Sequence, residues 1–359
     1  MKRRIVIKIG SNVLTRNDGK LDITRMSSLV DQVVNLHEEG NDIVLISSGA
    51  VASGKSEIKL SKNLDALSSR QLYSSIGQAK LINRYYELFK EQGVCCGQVL
   101  TTKESFSTRL QYLTQKHCME VMLNHKVIPI VNENDTISVT ELMFTDNDEL
   151  SGLIASMINA DMLIILSNVN GIYDGSPSDS YSKVIPFIYP GERNMEAFIQ
   201  VGKSTFGRGG MLTKCRIATK VAEEGIEVVI ANGKIDNILN KLIKNMKETV
   251  CTRFVPNEKK TSSIKKWIAH SEDFTKGEVI INRGAEDALY SAMASSILFV
   301  GVVGINGDFE KEDIVRIINE DGEQIGIGCV AYNSKEAFDN IGKKDMKPLI
   351  HYDCMYLYV

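Results

Sequence analysis

The hydrophobic positions of this 359-residue chain fall into short continuous runs separated by longer amphipathic stretches. Ile5-Val6-Ile7-Lys8-Ile9 is β-branched and nearly continuous, the pattern of a strand buried on both faces, and Gly10-Ser11-Asn12 breaks it. Helical spacing follows over 23–39, with Met26, Val30 and Val33 on one face and Gly40 as the stop. Asp42-Ile43-Val44-Leu45-Ile46-Ser47 predicts the next strand and runs into Ser48-Gly49-Ala50. The same reading predicts helices over 70–92, 110–124, 148–159, 212–224 and 235–246, with strands at Val99 and over 127–131, 162–166 and 226–230. Such alternation predicts an α/β fold, a three-layer αβα sandwich whose mostly parallel sheet is covered by helices on both faces. Right-handed crossovers place the strand C-termini along one edge, where ligands bind.

The pattern changes after the helix over 235–246. Residues 253–266 are polar and charged, and beyond them the chain is β-rich with frequent glycines. The expected division is a first domain over 1–258, a linker over 259–274 and a small barrel over 275–359, which suits a length beyond that of one core. Net charge is −3 with 24% charged residues, so the whole chain carries no footprint of a nucleic-acid or membrane partner. The longest uncharged apolar run, 297–305, is too short to span a bilayer, and the basic start lacks the apolar stretch of a signal peptide; a cytoplasmic protein is expected. The seven cysteines lack Cys-x-x-Cys spacing, which predicts reduced, mostly buried thiols rather than a metal site.

No P-loop, no Gly-x-Gly-x-x-Gly between strand and helix and no Gly-x-Ser-x-Gly elbow is present. Four segments near strand ends or helix starts could carry chemistry. In Lys8-Ile9-Gly10-Ser11, a lysine within a buried strand is costly unless an anion meets it; the bland alternative is an edge-strand lysine reaching water. Ser47-Ser48-Gly49-Ala50 exposes backbone N–H groups at a strand-to-helix turn, as many α/β turns do. Asn132-Glu133-Asn134-Asp135 and Asp146-Asn147-Asp148-Glu149 could bind an ammonium group, orient lysines or hold a metal, although one residue of the second cluster is expected merely to cap the next helix. Arg208-Gly209-Gly210-Met211-Leu212-Thr213-Lys214 combines a wrapping backbone, a helix N-terminus and a mobile charge, with a plain flexible loop as its alternative.

Together these stretches, with Gly171-Ile172-Tyr173, resemble the amino acid kinase family, and within it the members that phosphorylate glutamate. The matching segments run in family order over about the first 260 residues. The tail, through Gly277-Glu278-Val279, Gly307-Asp308-Phe309 and Asp313–Ile317, resembles the PUA domain that many of those members carry, although Leu298–Val302 departs from the usual pattern.

The resemblance implies phosphoryl transfer from ATP, with Mg²⁺ held mainly by its phosphates rather than by the protein, to the γ-carboxylate of L-glutamate, at the first step of proline biosynthesis. Lys8 and Lys214 would neutralise the transferring group, and Asp148 would hold them. Ser48, Asp135 and Asn147 would bind glutamate, with Asn132 as a further candidate. Ser167, Asn168 and residues 208–214, Arg208 through Lys214, would line the nucleotide site; many members have Thr-Asp where this chain has Ser167-Asn168. A homo-oligomer, dimer or tetramer, and handover of product to glutamyl-phosphate reductase are implied in the same way. Acceptors such as N-acetylglutamate, aspartate, carbamate or UMP are the nearest alternatives. An RNA-binding PUA protein is a third reading, opposed by the tail's 8 basic against 14 acidic residues over 275–359.

Overall fold

Strand β1 (Arg4–Ile9) lies inside the eight-stranded sheet of the computed structural model, which describes residues 2–58, 64–138, 144, 146–177, 179–191, 210–258, 262–291 and 295–358. The chain divides into two units, residues 1–105 with 114–260, and residues 106–113 with 261–359.

After β1 the elements follow in the order α1 (Ser11–Leu14), α2 (Ile23–Glu38), β2 (Asp42–Ser47), α3 (Ala50–Lys55), α4 (Ala66–Glu91), β3 (Cys96–Thr101), α5 (Arg109–Asn124), β4 (Ile128–Glu133), α6 (Asn147–Met157), β5 (Met162–Ser167), β6 (Phe187–Ile188), α7 (Met211–Glu223), β7 (Glu227–Asn232), α8 (Ile238–Lys244) and β8 (Thr252–Phe254), all in the first unit except the start of α5, through Leu113. The sheet order is β3-β4-β2-β1-β5-β7-β8-β6, and only the β7–β8 pairing is antiparallel. Hydrophobic alternation sorts the side chains: Ile5, Ile7 and Ile9 pack with the apolar stripes of α2, α4 and α8, while α6 packs on the opposite face. β1 and β5 are neighbours, yet the chain leaves them towards opposite sides of the sheet. That switch point opens a crevice at the strand C-termini.

α3 and α4 are pressed together through backbone. A Cβ on Gly77 would lie 1.8 Å from the carbonyl oxygen of Ala50, and one on Gly54 would lie 1.8 Å from that of Tyr73. Only hydrogen fits at these two positions. The contact fixes α4 beside the turn that follows β2.

The second unit carries a five-stranded sheet, β9 (Gly277–Ile281), β10 (Val302–Gly307), β11 (Ile314–Ile318), β12 (Gln324–Cys329) and β13 (Met355–Leu357), in the order β10-β9-β11-β12-β13. Its own core includes Val279, Phe299, Phe309 and Ile317. Within the stretch expected as a linker, α9 (Ser263–Ala269) buries Trp267, whose Nε1 donates to the carbonyl of Phe106 at 3.1 Å.

The cysteines depart from expectation. All seven are free thiols, but only Cys215 and Cys251 are buried, while Cys95 and Cys118 are exposed and the other three are partly covered. The reason is placement: Cys95 and Cys96 sit on the edge of the sheet at β3, where one side has no neighbouring strand. No helix among the described residues is long and apolar enough to cross a membrane.

Candidate active site

Lys8 pairs on both sides, with Ile46 of β2 and Ile165 of β5, so it stands on an interior strand and not at an edge. It is 5% exposed. Its anion is Asp148, in the first turn of α6 and 0% exposed, whose Oδ1 lies 2.5 Å from Lys8 Nζ. Asp148 Oδ2 lies 2.9 Å from Nζ of Lys214, in the first turn of α7. One carboxylate therefore bridges two ammonium groups. Burial pushes its carboxyl up, but the two lysines outweigh that effect and hold it below the ordinary carboxylate range. Two cations against one anion leave a net positive charge on the bridge itself.

The start of α6 separates its polar residues by task. Asp146 is the N-cap, its Oδ1 accepting from the N–H groups of Asp148 and Glu149 at 2.8 and 3.2 Å. Burial first, and then the neighbouring Asp148, push the Asp146 carboxyl up to about 6. Asn147 points elsewhere: its Nδ2 donates to Ser48 Oγ at 3.0 Å and to Asn132 Oδ1 at 2.9 Å. Capping thus accounts for Asp146 alone. Asn147 and Asp148 are consecutive, so the helix start joins the amide cluster to the lysine bridge.

Ser48 follows β2, and its N–H donates to the Ile9 carbonyl at 3.1 Å. Gly49 behind it has φ 111°, a left-handed conformation that turns the chain into α3. Asp135 lies just past β4, three residues after Asn132 near the end of that strand, and is gripped by Arg70 of α4 through Nε at 2.7 Å and Nη2 at 2.5 Å. Arg70 Nη2 also reaches Glu133 Oε2 at 3.0 Å.

On the other side of β1, the Gly10 N–H donates to the Leu166 carbonyl at 3.1 Å and the Gly233 N–H to the Ser167 carbonyl at 2.8 Å, so the ends of β1, β5 and β7 are laced together. Ser167 is buried there and Asn168 is exposed. Gly210 is the N-cap of α7, with Met211 and Thr213 half-buried, Leu212 exposed and Lys214 turned to Asp148. Arg208 and Gly209 lie outside the described residues.

Sequence reasoning missed two residues, Arg70 and Gln78, the latter accepting from Asn132 Nδ2 at 2.8 Å. Both stand on α4, eight residues apart and so on one face. That spacing flanks Gly77, which was the available signal. Among the described residues, no group of three or more His, Cys, Asp or Glu side chains is placed to hold a metal ion.

The model of the amino acid kinase family matches residues 3–232, and that of the PUA domain residues 277–349. A glutamate 5-kinase of Bacteroides thetaiotaomicron is 62% identical over 354 residues, covering 99% of this chain and 98% of its own. A glutamate 5-kinase of Chlorobaculum tepidum is 47% identical over 356 residues, covering 99% and 97%. Among solved structures, carbamate kinase from Giardia lamblia bound to AMP-PNP covers 71% of this chain and 99% of its own with a TM-score of 0.50; at 17% identity it shows a shared fold alone. The chain belongs to the amino acid kinase family, in its glutamate 5-kinase branch, and carries a PUA domain after the kinase domain.

Proposed function

We propose that the crevice at the end of β1 catalyses direct transfer of the γ-phosphoryl group of ATP to the γ-carboxylate of L-glutamate, giving glutamyl 5-phosphate for proline biosynthesis. The observation that carries this reading is the buried Lys8–Asp148–Lys214 bridge. Acceptor and triphosphate are both anionic, so their repulsion is a large part of the barrier. Fixed ammonium groups offset it as charge spreads over the transferring phosphoryl oxygens, with little proton transfer needed. Lys8 and Lys214 are the catalytic residues on this reading, and Asp148 is their shared anchor. On this reading Mg²⁺ would arrive bound to the nucleotide and would supply charge neutralisation at its phosphates.

Ser48, Asn132 and Asn147 form the amide-and-hydroxyl wall beside the bridge, and Asp135 supplies a carboxylate for the α-ammonium group. Ser167, Asn168 and Gly210 through Lys214 line the nucleotide side on this reading. The relatives named glutamate 5-kinase at 62% and 47% identity support glutamate over other acids. A homo-oligomer in the cytoplasm, passing its product to glutamyl-phosphate reductase, fits the same reading, because an acyl phosphate left in water hydrolyses.

The test is a hydroxamate assay with ATP, Mg²⁺ and a panel of acids. Glutamate is expected to react, with N-acetylglutamate, aspartate and carbamate inactive. Activity confined to one of the others sinks the acceptor assignment, and no turnover with any acid sinks the kinase reading. Lys214→Ala is expected to lower kcat by at least ~100-fold, on the scale of losing one electrostatic stabiliser.

A further inference from the structure

Two buried carboxylates, Glu133 at the end of β4 and Asp135 just past it, stand two residues apart, at 4% and 8% exposure. Nothing in the phosphoryl-transfer chemistry requires both. Left alone, such a pair would hold a proton, because burial disfavours each charge and each repels the other. A protonated Asp135 could not form an ion pair with a substrate ammonium. Arg70 resolves the conflict. Its fork spans both acids, with Nε and Nη2 on Asp135 Oδ1 at 2.7 and 2.5 Å and Nη2 on Glu133 Oε2 at 3.0 Å. The planar guanidinium presents its donors in a rigid fork that matches carboxylate geometry, which suits it to hold two acids at once. Glu133 is fixed from its other oxygen, which accepts the Phe144 N–H at 3.0 Å. Gln71, next to Arg70, donates to the Thr136 carbonyl at 3.1 Å, so the first turns of α4 are moored to the whole loop. The Gly54 and Gly77 contacts hold α4 itself in place.

We propose that Arg70 is a positioning residue for the acceptor: it keeps Asp135 ionised and aimed at the α-ammonium group, and so sets the preference for an acid bearing a free amino group. One cation between two acids leaves a net negative charge in the loop, opposite in sign to the net positive charge at the Lys8–Asp148–Lys214 bridge. The two poles match an amino acid that presents an ammonium at one end and a reacting carboxylate at the other. Burial, the largest influence on both, raises the Glu133 and Asp135 carboxyls, and Arg70 opposes it in each case. Among the described residues, the charged groups facing Asp135 are Arg70 from α4 and Glu133 from β4.

The inference rests on the proposed glutamate site and is tested on the full chain with ATP and two acceptors, L-glutamate and glutarate, the latter having both carboxylates but no amino group. Glutarate is read as a substrate or, where its turnover is below detection, by its inhibition constant against glutamate. In Arg70→Gln, kcat/KM for glutamate is expected to fall at least ~10-fold through KM, the scale of one lost hydrogen bond to a charged group. Glutarate is expected to change less than about 2-fold on the same scale, and KM for ATP to stay constant. The acid limb of the glutamate profile should move to higher pH, because Asp135 loses the charge that opposes its burial. Arg70→Met, which removes the charge while keeping much of the side-chain length, repeats the test if the glutamine variant does not fold, whereas Arg70→Lys, which keeps the charge without the fork, should retain most of the discrimination. Equal losses for the two acceptors, or an unchanged glutamate-to-glutarate ratio, in the glutamine or methionine variant overturn the proposal. Failure of the wild-type chain to phosphorylate glutamate overturns the site reading beneath it, a result separable because it needs no variant.

Discussion

Replacing Asp148 by Asn removes the one negative charge between two buried lysines while keeping shape and volume. The two Nζ atoms each touch a different oxygen of one carboxylate, at 2.5 and 2.9 Å, so they lie within roughly 7 Å of each other. At an effective dielectric of ~20 their mutual repulsion is then about 2–4 kcal/mol. That agrees with the ~3–5 kcal/mol usual when one partner of a buried ion pair is removed. Ammonium groups driven apart by that repulsion no longer meet the transferring phosphoryl group in the geometry the bridge sets. Stability and turnover must therefore fall together. Urea denaturation at neutral pH should show a loss of about 3 kcal/mol with an unchanged m-value, and the hydroxamate assay a drop in kcat of at least ~100-fold. The pH dependence provides a second reading. Because the Asp148 carboxyl is held below its ordinary value, its stabilisation is present above 3.8 and is lost as pH falls below that; the Asn variant should lack this acid-labile component. A variant within 1 kcal/mol and 3-fold of wild type would refute the bridge as the organiser of the site.

Asp146 carries the opposite sign: with its carboxyl raised from 3.8 to about 6, the folded state favours the proton, so its contribution is full below 3.8 and fades as pH rises through 6. Asp146→Asn keeps an oxygen for the N-cap and should flatten thermal stability against pH between those values. Gly77→Ala sets a methyl against the Ala50 carbonyl and should cost on the order of 3 kcal/mol by thermal denaturation, with KM for glutamate rising in whatever fraction folds. Asn147→Asp turns a donor to Ser48 and Asn132 into an acceptor, and should raise KM for glutamate at least ~10-fold while leaving KM for ATP unchanged; an equal rise in both would place Asn147 outside the acceptor site.

Much of the fold is legible in local pattern because strand and helix periods are written in nearest neighbours. Ile5 to Ile9, broken by Lys8 alone, 43–46 and 162–166 are apolar runs, and each lies in a strand of the sheet. The helix expected over 23–39 is found at Ile23–Glu38. Lys8 was conspicuous for the same local reason, a charge where burial was due. What local pattern could not supply is partnership. That Asp148 meets both Lys8 and Lys214 depends on strand order and on where α6 and α7 begin, contacts spanning 140 and 66 positions of chain. Thiol burial was misjudged on the same ground, since Cys95 and Cys96 are exposed or covered according to whether β3 has a neighbour on each side.

The sequence by itself determined the layered α/β architecture, the β-rich tail and the residue types fit for phosphoryl transfer, because each rests on short-range periodicity or on the intrinsic chemistry of a side chain. Only the tertiary structure decided that Asp146 caps while Asn147 reaches Ser48, and that Arg70 clamps Asp135. Charge and hydrogen-bond assignments depend on distances of a few ångströms between residues far apart in sequence, and those distances exist only once the sheet has set its strand order.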